Sequence, residues 1–269
     1  MVLNIRKFGT GNRVLLGLHG FLGNHRDWEK FADRFLASAP GWRVVAIDLP
    51  GHGEEEGGWV CPEPEEFSKA LSDLAVAEGW GSGVLAGYSL GGRLALHTAL
   101  SFPEQFPVFI GISTMAGIED EQGRLKRMVS DLALASSLRA GVEFSRFLRE
   151  WWEQPIFASP SHDLRGVEAF LASRLQRNPA CMASCLETWS PGRMKPQWSA
   201  LSDYPGSAFL LSGDADMKYT LAARRMKACF READHVVIPQ AGHQLISEKP
   251  HSVALAIARF LETHAITML

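Results

Sequence analysis

The chain has little that would carry it into a bilayer or onto a polyanion. No stretch of the 269 residues reaches the roughly 18 uninterrupted apolar positions of a membrane span. No run of five or more like charges forms a binding tail, and 27 lysines and arginines against 30 acids leave a formal charge of -3. That balance excludes a general attraction to nucleic acid, so any anion site has to be built locally. The four cysteines, Cys61, Cys181, Cys185 and Cys229, lack zinc-ribbon or redox spacing and read as reduced packing residues. Neither a metal constellation nor a Gly-rich phosphate loop ending in lysine is present, so no metal and no cofactor are expected. The opening MVLNIRKFGTGNRVLLGLHG carries charges and glycines ahead of a short apolar run, unlike a secretory signal. A cytoplasmic chain with no membrane partner is the expectation; oligomeric state is not legible.

What is present is an alternation of short apolar runs with amphipathic stretches, the mark of βαβ units and a largely parallel sheet. Strands are expected at 14–18, 43–48, 83–88, 108–113, 207–211 and 235–239, and helices at 25–37, 65–78, 90–100 and 219–230. Pro250 opens a final helix, a position proline favours. Between about Gly117 and Ala200 the β-branched runs vanish and long helical patterns rich in Arg, Met, Trp and Leu take over. The expected organisation is an α/β core from 1–116 and 201–269, with a mostly parallel central sheet flanked by helices, and a helical cap inserted at 117–200.

One hydroxyl stands out. GYSLGG, Gly87 to Gly92, lies where a strand pattern gives way to a helix pattern, the context the G-x-S-x-G elbow requires. Glycines flank Ser89 because a Cβ on so sharp a turn would strike neighbouring backbone, and the helix that follows places its free N-H groups under the hydroxyl. A hydroxyl is a weak nucleophile and a weak base until an imidazole takes its proton, and that imidazole needs an acid to orient it. In this class of fold the partners follow in the order serine, acid, histidine. His243, in AGH after a strand-like run, is the expected base, and Asp216 of SGDAD the expected acid. Asp214, beside the glycine turn, reads as an Asx residue bonding local backbone. The loop LHGFLG after the first clear strand offers the N-H of Phe21, and the elbow offers that of Leu90, as an oxyanion hole. His19 and His52 read as loop supports.

HGF at 19–21, DLPGHG at 48–53, GYSLGG, SGDAD and AGH together resemble the α/β-hydrolase superfamily on both sides of the insertion. GYSLGGR, REWWEQPIFAS, SGDADMKY and VIPQAGH resemble more narrowly the MenH family, the 2-succinyl-6-hydroxy-2,4-cyclohexadiene-1-carboxylate synthases of menaquinone biosynthesis. The resemblance implies a lyase that eliminates pyruvate from a small anionic polycarboxylate. In that chemistry Ser89, activated by His243, takes a ring proton and the hole steadies the enolate. It further implies substrate contacts from Tyr88, Arg93, Arg127, Trp151 and Arg174, with Arg124 a rival to Arg127 and Trp152 a packing residue. Two features depart from the family pattern: Glu54-Glu55-Glu56 after the G-H-G turn, and Ile246 where many relatives have a second histidine. The triad alone is equally compatible with a serine hydrolase forming an acyl intermediate. A non-catalytic receptor on the same fold would have no need of all three residues.

Overall fold

The computed structural model describes residues 3–53, 59–80, 82–160 and 164–264. Seven strands form one sheet: β1 (Ile5–Phe8), β2 (Arg13–Leu18), β3 (Trp42–Ile47), β4 (Val84–Tyr88), β5 (Val108–Ile112), β6 (Ser207–Gly213) and β7 (Ala233–Ile238). Their order is β1-β3-β2-β4-β5-β6-β7. Every pairing is parallel except β1 on β3, where Ile5 faces Ile47. The parallel strands read as unbroken apolar runs because both faces are covered. Successive side chains divide between the two sides: Leu15, Val44 and Val84 join one core, while Leu16, Val45 and Leu85 join the other.

Helices α1 (Glu29–Ser38), α2 (Pro64–Ala77) and α3 (Leu90–Ser101) follow β2, β3 and β4. Phe31 and Phe35 of α1 pack into the first core, and Phe67, Leu71 and Leu94 of α2 and α3 into the second. Pro64 starts α2 at a position where its missing N-H costs nothing, inside a capping box formed by Glu63 and Glu66. The helix expected over 25–37 is divided into a 3-10 turn at His25–Trp28 and α1. Asn24 caps that turn and Asp27 reaches back to the Asn24 N-H, while Asp48 accepts from the His25 N-H at 2.6 Å and pulls the entry toward β3.

Among the described residues four α-helices stand between β5 and β6: α4 (Glu121–Arg139), α5 (Phe144–Trp152), α6 (Leu164–Arg174) and α7 (Pro179–Thr188). The last is pinned to the rest of the chain. Ser184 Oγ accepts from the Cys61 N-H at 2.9 Å, and Trp189 Nε1 donates to Pro62 O at 2.9 Å. After β6 come α8 (Met217–Cys229), α9 (Leu245–Glu248) and α10 (Pro250–His264), with Val253, Ile257 and Leu261 of α10 buried in the α1 side of the core. Since β4, β6 and β7 run parallel, their C-terminal ends share one edge, and the loops leaving that edge carry Ser89, Asp216 and His243. Among the described residues no helix is long and apolar enough to cross a membrane.

Candidate active site

Ser89 caps α3 with φ 53° and ψ -110°, in the left-handed region that a side chain adopts only under constraint. The constraint is visible on both sides of the turn. The Ser89 N-H donates to Ile112 O at 2.9 Å, and its carbonyl accepts from Thr114 Oγ1 at 2.9 Å and the Arg93 N-H at 3.2 Å. The flanking glycines are obligatory: a Cβ on Gly87 would lie 2.3 Å from Gly91 O, and one on Gly91 would lie 2.3 Å from His19 O.

Across the sheet edge, Ser89 Oγ lies 3.0 Å from His243 Nε2, and His243 Nδ1 lies 2.7 Å from Asp216 Oδ2. Both His243 and Asp216 are buried. A carboxylate on Nδ1 holds that nitrogen protonated and leaves Nε2 as the acceptor facing the hydroxyl. Asp214 turns the other way. It accepts from the N-H groups of Gln240 and Ala241 at 2.9 and 3.1 Å, and those bonds hold its carboxyl below the usual range. The backbone it binds belongs first to the loop after β7 and then to its own turn, where the N-H groups of Ala215 and Asp214 contribute as the Asx reading expected. The acid loop and the histidine loop are thereby stitched together.

The loop after β2 approaches so closely that a Cβ on Gly20 would lie 2.7 Å from the Tyr88 ring and 3.6 Å from Ser89 Cβ. Phe21 and Leu90 are therefore neighbours of the hydroxyl, and among the described residues no backbone turn consumes either N-H. His19 supports this loop. Its Nε2 accepts from the Leu49 N-H at 2.9 Å and its Nδ1 faces Gly20 O at 2.8 Å, a pairing that only the neutral ring can make. Burial lowers its pKa to about 3, and burial likewise pushes that of His52 well down. Below pH 6.5 the unfolded chain binds protons that these rings refuse, so stability falls as pH falls. Between pH 6.5 and 5 the two rings should lower the unfolding free energy by on the order of 1 kcal/mol per pH unit. Urea midpoints at three pH values test this; a flat profile contradicts it.

Two small cavities of about 80 and 70 Å³ meet at Ser89 and His243, sharing Phe21, Trp151 and Phe157 as walls. The first lobe holds Arg93, Arg127, Gln154 and Tyr219. The second holds Tyr88, Asp27, Arg174 and Ile246. Arg93 is buried, with Nη2 donating to Trp189 O at 3.0 Å and Nε without a partner; burial lowers its pKa to about 10, which still leaves it charged at neutral pH. Arg127 Nε binds Asp131, and Arg174 Nη2 binds Asp27. Arg124 does not line either lobe and donates to Gly192 O. Trp152 stacks on Phe157 at 5.7 Å and packs on Phe170 at 4.6 Å, outside both lobes. Ile246 is buried in the second lobe, so where a histidine was expected from the family pattern the wall is apolar. Glu54-Glu55-Glu56 lies outside the described residues.

Sequence reasoning missed Gln154, Tyr219, Asp131 and Asp27. The first two sit inside quoted motifs, WWEQPIFAS and SGDADMKY, and Asp131 stands four residues beyond Arg127, the spacing of a helical ion pair. Asp27 carried no local signal, because its partner Arg174 is 147 residues away. Among the described residues no group of three or more His, Cys, Asp or Glu could hold a metal.

The sequence matches the alpha/beta hydrolase family over residues 14–256. It is 31% identical, over 97% of both chains, to the 2-succinyl-6-hydroxy-2,4-cyclohexadiene-1-carboxylate synthase of Enterobacter sp. (strain 638). The structure of MenH from S. aureus superposes with a TM-score of 0.88 at 28% identity, covering 97% of this chain and 98% of that one. The chain belongs to the MenH family of alpha/beta hydrolases. A second MenH-family synthase, from Serratia proteamaculans (strain 568), is 31% identical over 92% of both chains. An esterase from Exiguobacterium antarcticum shares the fold alone, with a TM-score of 0.79 at 15% identity over 97% of this chain and 95% of that one.

Proposed function

We propose that this chain is a lyase of menaquinone biosynthesis, converting 2-succinyl-5-enolpyruvyl-6-hydroxy-3-cyclohexene-1-carboxylate into 2-succinyl-6-hydroxy-2,4-cyclohexadiene-1-carboxylate and pyruvate. His243 takes the Ser89 proton as Ser89 Oγ removes the ring hydrogen beside the succinyl ketone, and Asp216 steadies the imidazolium. The ketone oxygen gains negative charge and is received by the N-H groups of Phe21 and Leu90. The electron pair then moves through the ring double bond, the carbon-oxygen bond to the enolpyruvyl group breaks, and the leaving group collects a proton to become pyruvate. Residues 117–200 act as a cap on the core formed by 1–116 and 201–269. Tyr88 and Trp151 line the site, and Arg93, Arg127 and Arg174 take the carboxylates. The four cysteines stand as thiols, which suits the reducing cytoplasm.

The observation that carries this reading is the 3.0 Å contact between Ser89 Oγ and His243 Nε2 at the junction of two lobes, each with arginine in its wall. A site for neutral esters has no use for cations on both sides of the nucleophile. The strained elbow nonetheless favours a second reading, a serine hydrolase, because an attacking hydroxyl needs the same exposure. Purified protein supplied with the cyclohexene precursor should release pyruvate, followed by coupled NADH oxidation; turnover of p-nitrophenyl esters with no pyruvate would select the hydrolase. Arg93→Ala should raise KM about tenfold to a hundredfold, the worth of one charge-assisted contact, and should weaken the salt dependence of KM. An unchanged KM would remove Arg93 from the binding surface.

A further inference from the structure

The lobe that holds Arg93 and Arg127 also contains a carboxylate for which the proposed chemistry has no use. Asp131, one turn beyond Arg127 on α4, is 2% exposed and lines that lobe. Burying a carboxylate is costly unless it is paired, and placing one where an anion is to bind opposes that binding. Its position calls for a compensating role.

The hydrogen bonds supply one. Both Asp131 oxygens accept from Arg127 Nε, at 2.9 and 2.8 Å. A guanidinium is a rigid plane with five donors, so fixing the Nε edge fixes the direction of the remaining four N-H bonds. The two Nη groups of Arg127 make no hydrogen bond with the described residues. They remain for a ligand in the lobe. Arg93 is held differently, by the neutral carbonyl of Trp189. Lys218 adds a third cation nearby, and the ammonium is pushed down first by burial and then by Arg127 and Arg93. Without Asp131 the guanidinium of Arg127, 32% exposed, would be free to swing away from two like charges toward solvent.

We propose that Asp131 is a positioning residue that locks the plane of Arg127, so that its Nη groups meet a ligand carboxylate in the lobe beside Ser89. The inference deepens the proposed function and rests on it for the class of ligand, a molecule bearing a succinyl-type carboxylate.

Trp151 and Trp189 line the same lobe, so tryptophan fluorescence reports its occupancy. The probe is succinate, titrated at low salt into the full chain. Asp131→Asn should weaken succinate binding about tenfold, and Asp131→Glu should recover most of that loss. In an Arg127→Ala background Asp131→Asn should cause no further loss, because the residue acts through Arg127. Unchanged or tighter binding in Asp131→Asn would mean that the carboxylate merely repels ligand, and additive losses would mean that it acts independently of Arg127; either overturns the proposal. If Asp131→Asn does not fold, Arg127→Lys decides. Lysine keeps the charge but has no plane to hold, so it should bind succinate about as weakly as Arg127→Ala, and full retention overturns the proposal. A wild-type chain blind to succinate does so too. The titration needs no turnover: a chain that binds succinate through Arg127 yet releases no pyruvate refutes the proposed activity and leaves the role of Asp131 standing.

Discussion

Ser89→Ala and His243→Ala should each lower kcat by about a thousandfold or more while leaving KM within a few-fold of wild type. The reason lies in the chain of contacts. A serine hydroxyl does not take a carbon-bound proton unless its own proton has somewhere to go, and among the described residues the imidazole nitrogen within hydrogen-bond reach is His243 Nε2 at 3.0 Å. Deleting either partner removes the base but not the arginines, so ground-state binding survives. The double variant should be scarcely worse than either single one, since the two act as one unit. Steady-state pyruvate release from the three variants measures this. Multiplying losses, or a single variant with near-normal kcat, would show that another group removes the proton.

Gly91→Ala should be the most damaging small substitution in the elbow. The added Cβ would meet His19 O at 2.3 Å and Leu18 O at 2.4 Å, both main-chain atoms of β2 and its loop, which cannot rotate away as a side chain would. To admit it, α3 must back off the sheet. That shift moves the Leu90 N-H away from the Phe21 loop and loosens the packing of Leu94 and Ala95, which are fully buried. A loss of about 3 kcal/mol or more in unfolding free energy is expected, together with a fall in kcat exceeding what the remaining folded fraction accounts for. Urea denaturation and pyruvate release on the same preparation separate the two effects. A stable, active Gly91→Ala chain would mean that the loop and the elbow are not held against each other.

The parallel sheet was legible because its strands are buried on both faces, and the last helix because a proline opens it. Runs such as VLLGL and RVVAI declare themselves without help from the rest of the chain. The edge strand β1 was not, since IRKF is short, carries two charges and is ordered by pairing with β3. The short helix α9 escaped for a similar reason: four residues cannot show a period. Ser89, Asp216 and His243 could be singled out because each stands just after a strand, where a loop position has few competing explanations. The arginines were harder to place. Arg124 and Arg127 are one turn apart, and only the packing of α4 against the segment around Gly192 decides that Arg124 bonds a backbone carbonyl while Arg127 lines the cavity. The acidic partner Asp27 was invisible as such, because its counter-ion Arg174 comes from a distant helix, whereas Asp131 had its spacing to Arg127 as a signal.

On the proposed function, the arginines in the two lobes beside Ser89 would impose handedness on the substrate. A ring held at two points could roll about the line that joins them and offer either surface to the hydroxyl; a third anchor off that line prevents it, and the first lobe supplies two, Arg93 and Arg127, against Arg174 in the second. The hydrogen to be removed must then project from the surface that looks toward Ser89, and the mirror-image molecule would turn that hydrogen away from the hydroxyl. Stereochemical selection would thus arise from where the anchors stand, with no separate group needed to reject the wrong isomer.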